Sequence, residues 1–171
     1  MTKSDQTLKT FVTFRIAGDG LVPDEVTELL KVPPAHAHAK GVRYSTGRVE
    51  ILPTTGVWFF STDRLSISKN WVEHLALALV VIGLVQRPQL SPSLPAEGEL
   101  ESVSRVLALG RFLQQKGLTA TLSVFWHGAP QATEPQIPNQ ITDFLRLIPI
   151  QIETDFDRDE VASPRRSRAA A

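Results

Sequence analysis

Four histidines and a run of carboxylates near the C-terminal end are the side chains of this chain best equipped for chemistry. In an extended stretch, His36-Ala37-His38 places two imidazoles on the same side, which is the spacing of a metal-ligand pair. A third ligand would have to be His74 or His127, the other two histidines, and two neutral imidazoles alone seldom close a site. No metal is therefore expected, and the stretch reads as a polar segment following a helix. His74, beside Glu73, reads as a boundary side chain that packs its ring and hydrogen-bonds a loop carbonyl. His127, after Trp126, is the strongest candidate for a titrating group, yet no serine, cysteine or acid stands beside it at nucleophile-pair spacing.

The acidic run is more informative. In an extended Ile150–Asp157, Ile150, Ile152, Thr154 and Phe156 face one way, while Gln151, Glu153, Asp155 and Asp157 face the other. Carboxylates then recur every ~7 Å. Such a row is a solvated sheet face, an ion ladder with Arg15, a cation site, or an acidic surface for a basic partner. Acid–base catalysis is disfavoured, because an open strand lacks the apolar wall that separates two carboxyl pKa values. Gly18-Asp19-Gly20 lacks the further glycine or lysine of a phosphate loop, and no nucleophile elbow is present. The candidate binding residues are Arg15, Trp58, His127, Glu153, Asp155 and Asp157, with no catalytic residue, metal or cofactor assigned.

The elements that must position these groups follow from periodicity. Thr10–Ala17 alternates Val12, Phe14 and Ile16 against Phe11, Thr13 and Arg15, predicting a strand. Pro23 with Asp24, Glu25 and Glu28 begins a short helix carrying Val26, Leu29 and Leu30, and Pro33-Pro34 ends it. Ala37–Arg43 and Arg48–Leu52 read as short edge strands, and Val57–Thr62 as a firm one. Asn70 with Glu73 three residues later has capping-box spacing, predicting a helix from Trp71 to about Val85. That helix is apolar on nearly every side, which predicts a central core position. Gln86–Glu99, with Pro88, Pro92 and Pro95, reads as a long loop. Glu101–Lys116 is helical with Gly117 as its left-handed stop, Leu118–His127 is the strongest strand, and a helix bearing Ile141, Phe144, Leu145 and Ile148 precedes the last strand. Gln86–Glu99 and Arg158–Ala171 are expected to be the most mobile segments and the first cut by proteases.

Composition bounds what these elements can build. The 171 residues are 42% hydrophobic and 21% charged, the balance of a chain with a packed core. With no cysteine, disulfides, thiol nucleophiles and cysteine zinc sites are excluded. Eighteen basic residues balance eighteen acidic ones, with no basic stripe to grip a phosphate backbone, so nucleic-acid binding is not expected. The apolar run Leu75–Ile82, continued to Val85, is too short to span a bilayer, which takes about 20 residues, and Met1–Lys9 has no signal-peptide character. A cytoplasmic location without membrane insertion is the expectation.

The order β-α-β-β-α, a proline loop, then α-β-α-β favours an α+β layer with a mixed or antiparallel sheet and helices on one face. Its two halves share a strand-then-helix logic that suggests two ferredoxin-like units. The domain is expected over residues 10–158, between a flexible segment 1–9 and a disordered tail 159–171. Phe14–Leu30 (FRIAGDGLVPDEVTELL), the Pro34 to Lys40-Gly41 segment, Gly56-Val57-Trp58, Glu73-His74-Leu75 and Ile150–Asp157 resemble the bacterial family of the domain of unknown function 4279. The resemblance covers roughly residues 10–158, excepting the Gln86–Glu99 loop. It implies the fold and carries no reaction, cofactor or partner. The expected function is a non-enzymatic binding or interaction protein with a protein partner, of an immunity or regulatory kind. The alternative is a small enzyme whose cleft joins Trp58, His127 and the last strand's carboxylates.

Overall fold

The computed structural model describes residues 7–63, 65, 70–83 and 97–159. Along them run β1 (Thr7–Gly18), α1 (Pro23–Leu30), β2 (His36–His38), β3 (Tyr44–Thr46), β4 (Val49–Ile51), β5 (Gly56–Ser61), α2 (Trp71–Val81), α3 (Glu97–Lys116), β6 (Thr119–Gly128), α4 (Asn139–Leu147) and β7 (Ile150–Arg158). Five strands form one mixed sheet in the order β2-β5-β1-β6-β7, and β3 and β4 form a separate two-stranded hairpin. The fold is α+β, as the element order predicts. All the main-sheet pairings are antiparallel except β6–β7, which is parallel and bridged by α4, as a crossover connection requires. β1 lies at the centre and pairs with both β5 and β6. The strand-then-helix repetition therefore does not produce two ferredoxin-like sheets: a single central strand serves both halves.

Side-chain alternation divides this sheet into two unlike faces. Val12, Phe14, Ile16, Trp58, Phe60, Ala120, Leu122, Val124 and Ile150 face the helices and are buried. They form one cluster with Val26 and Leu30 of α1, Leu75, Ala78 and Leu79 of α2, Val106, Leu109 and Leu113 of α3, and Leu145 of α4. Phe14, Leu79, Ile82, Leu122 and Val124 are all at most 4% exposed. Both buried indoles on this face find threonine hydroxyls: Trp58 Nε1 donates to Thr27 Oγ1 at 3.1 Å and Trp126 Nε1 to Thr7 Oγ1 at 3.0 Å.

The helix boundaries follow from local chemistry. Pro23 opens α1, but Lys31 in the left-handed conformation closes it, its N–H bonded to Thr27 O at 2.8 Å, before Pro33-Pro34 is reached. Asn70 caps α2 by accepting from Val72 N–H at 3.0 Å. That helix lies against β1 with His74, Leu75, Ala78 and Leu79 buried, while Val72 and Ala76 on its outer side are exposed. The expected central position is thus not adopted: one side of α2 covers the sheet, and the apolar character of its other side leaves Leu77 and Val81 half-buried at the margin of the core.

α3 starts at Glu97, so it takes in the end of the segment expected to be a loop. Residues 84–96 of that segment, and the tail beyond 159, lie outside the described residues, as does the mobility expected of them. Gly117 takes the left-handed conformation at φ 60° and ends α3 as predicted. Gly110 serves a close approach, since a methyl group there would come within 2.7 Å of Ile148 Cγ2.

Candidate functional site

The face of the sheet turned away from the described helices gathers most of the chemistry. Its register reads across the strands in rows. His36, Phe59, Arg15, Thr121 and Gln151 form one row; Ser61, Thr13, Ser123 and Glu153 a second; Phe11, Phe125 and Asp155 a third; Lys9, His127 and Asp157 a fourth. Odd-numbered positions of β1, β5, β6 and β7 thus share one face with His36 and His38 of β2. Glu153, Asp155 and Asp157 are exposed, and Ile152 and Phe156 are half-buried against the core. This is the orientation read from their alternation, because a one-residue slip would bury the carboxylates.

Chemical character changes steadily across the face. At the β7 side, His127 Nε2 lies 3.0 Å from Asp159 Oδ1 and its Nδ1 lies 3.6 Å from Asp157 Oδ2. Both ring nitrogens are turned to carboxylates of the chain, which suits an anchored surface histidine better than a base awaiting a substrate proton. Ser123 Oγ donates to Glu153 at 3.4 Å, and Asp155 has no ion-pair partner within 4 Å among the described residues. In the middle, the Phe11 and Phe125 rings stack at 4.6 Å, with the Lys9 ammonium 5.1 Å from the Phe11 centroid. Lys9 also pairs with Asp63 at 3.5 Å. The phenylalanine stack was not singled out in the sequence, because only the pairing of β1 with β6 brings Phe11 opposite Phe125.

At the other side, His36 Nε2 and His38 Nδ1 are 2.9 Å apart. The β3–β4 hairpin brings Tyr44 onto them. Its ring stacks on His38 at 4.9 Å and meets His36 edge-on at 5.3 Å, and Phe59 lies 6.0 Å from His36. The extended geometry expected for the two imidazoles is present, and Tyr44 is a member that spacing alone did not point to. Burial, His36 and the Arg15 charge together hold His38 below its ordinary value, against the opposing influence of the Thr55 backbone. A histidine whose folded-state pKa is depressed contributes stability above its unfolded pKa and loses it as pH falls through the folded value. The His38 ring-proton titration followed by NMR is accordingly expected at lower pH in the folded protein than in urea; a midpoint at or above the unfolded one would contradict this.

Two of the residues predicted for the site stand apart from it. Trp58 is fully buried and faces the helices, so the cleft that was to join Trp58 with His127 and the β7 carboxylates does not form: even-numbered positions of β5 point into the core. Arg15 is on the open face but separated from β7 by β6, and it makes no ion pair within 4 Å among the described residues, so it forms no ladder with the acidic strand. Its electrostatic reach is toward His38.

His74 is 4% exposed and bonds the Thr62 hydroxyl at 2.7 Å. A groove of about 680 Å³ between α1 and α3, lined by Asp24, Glu25, Glu28, Leu29, Phe112 and Lys116, includes neither His127 nor the β7 carboxylates. A hollow of about 340 Å³ at the start of β6 and β7 likewise excludes them.

Among the described residues no helix is long and apolar enough to cross a membrane, and no group of three or more histidine and carboxylate side chains is placed to hold a metal ion. Comparison with curated proteins and with solved structures returns no significant match. A family model, the domain of unknown function DUF4279, matches residues 7–158. That span runs from the first residue of β1 to the last of β7 and includes the whole open face, so the chain belongs to the DUF4279 family.

Proposed function

We propose that this chain is a non-catalytic binding protein whose open sheet face holds a basic, extended segment of a protein partner. The observation that carries this reading is the edge strand β7. It has a strand neighbour on one side only among the described residues, and it presents Glu153, Asp155 and Asp157 to solvent at alternate positions. An extended peptide with lysine or arginine at alternate positions repeats its charges at the same ~7 Å interval, and such a peptide can add to a free sheet edge through its backbone. The stacked Phe11 and Phe125 rings beside the acidic row offer apolar surface to the same segment. Charged edge strands also serve to discourage unwanted pairing between sheets, and one experiment separates the two roles.

Asp155→Asn with Asp157→Asn removes two charges and keeps the side-chain shape, so it opens no cavity. A synthetic peptide alternating lysine with threonine, followed by fluorescence anisotropy, is expected to bind the wild type and to lose at least about five-fold in affinity with the double variant. Added salt should reproduce the loss on the wild type, because exposed charges beyond a Debye length of about 10 Å at 0.1 M salt are screened. Capture that is unchanged by the double variant at low salt retires this face as the binding site.

A further inference from the structure

We propose that His36 and His38 form a two-nitrogen chelate for a divalent transition metal of tetragonal preference, copper(II) above all, at the edge of the open sheet face. Strand geometry puts the side chains of residues i and i+2 on the same face, and β2 is an edge strand whose two histidines are half-buried, within reach of solvent. His36 Nε2 and His38 Nδ1 lie 2.9 Å apart in a ring-to-ring hydrogen bond, near the roughly 2.8 Å between cis ligands of a square-planar centre with metal–nitrogen bonds of about 2.0 Å. A metal ion taking the place of that hydrogen bond would meet both nitrogens, and copper(II) heads the affinity order for such ligands.

In the contact between the rings one nitrogen donates and the other accepts, and the tautomers decide which. A neutral imidazole can carry its proton on either nitrogen, so a metal entering between the rings requires a change of tautomer and no net deprotonation.

Tyr44 and Phe59 pack against the two rings and restrict their rotation. No further histidine or carboxylate among the described residues completes the set, which leaves the other equatorial positions to water or to a ligand atom brought by a partner. The positive charge of Arg15 near His38 opposes a cation and limits the affinity.

Copper(II) sulfate titrated into the full chain, read by calorimetry and electron paramagnetic resonance, tests the assignment. The wild type is expected to take up one equivalent more than the double variant His36→Gln with His38→Gln, whose chain terminus supplies the same background. Its spectrum should be axial, with splitting from two imidazole nitrogens. Equal uptake by the folded double variant overturns the proposal. Should that variant fail to fold, the wild-type spectrum decides alone: two imidazole nitrogens support the chelate, and one or none overturns it. Tighter binding of zinc(II) than of copper(II) would overturn the tetragonal geometry.

Discussion

Leu122→Ala is expected to destabilise the protein by about 2–5 kcal/mol, the cost of deleting a buried leucine side chain and leaving a cavity that relaxes incompletely. Leu122 is fully buried and lies on β6 directly opposite Phe14 of β1 and Ile152 of β7. It therefore sits where the antiparallel and parallel halves of the sheet meet beneath the helix layer. Urea unfolding should show a lower midpoint with an unchanged slope, the sign of a stability change without a change in the surface exposed. Thr121→Ala, one residue away and on the opposite face, should stay within about 0.5 kcal/mol of the wild type. A loss below about half a kcal/mol for Leu122→Ala would mean that this face of β6 is not the core.

Thr62→Val is expected to cost a comparable amount, about 2–5 kcal/mol, although it keeps the volume of the side chain. Thr62 stands one residue beyond β5, and its backbone N–H still donates to Val12 O at 3.0 Å. The chain bends away there, and the Thr62 hydroxyl takes over the ladder: Oγ1 accepts from Val12 N–H at 2.8 Å and lies 2.7 Å from His74 Nδ1. Thr62 is fully buried and His74 nearly so. The valine methyl would remove the acceptor of a buried amide and one bond of a buried imidazole. Each such loss is worth about 1–3 kcal/mol where water cannot substitute. Thr62→Ser retains the oxygen and should recover most of the difference in thermal or urea unfolding. If valine and serine behaved alike, the hydroxyl would have no part in joining α2 to the sheet.

These two sites differ in how far they could be read in advance. Leu122 stands in an alternation of Leu118, Ala120, Leu122, Val124 and Trp126, so a local period of two identifies its face. Thr62 is an ordinary residue at the end of an apolar run. Its importance arises from Val12 and His74, 50 and 12 residues away in the chain, and no local pattern encodes that meeting. Trp58 shows the opposite error. It read as a candidate binding residue in a cleft with His127, but its position in the alternation of β5 sends it into the core beside Thr27.

What the sequence determined by itself was everything that depends on neighbours along the chain. Strand faces, the Asn70 cap, the Gly117 stop, the outward row of Glu153, Asp155 and Asp157, and the shared side of His36 and His38 all follow from backbone periodicities and turn chemistry acting over a few residues. Only the tertiary structure decided which strands lie side by side. It placed β1 between β5 and β6, separated Arg15 from the acidic strand by β6, stacked Phe11 on Phe125, and folded the Tyr44 hairpin onto the two histidines. Those outcomes rest on long-range hydrophobic burial, which is proportional to area and indifferent to order along the chain. An alternation of apolar residues states that a face will be covered, and the packing of the whole chain settles what covers it.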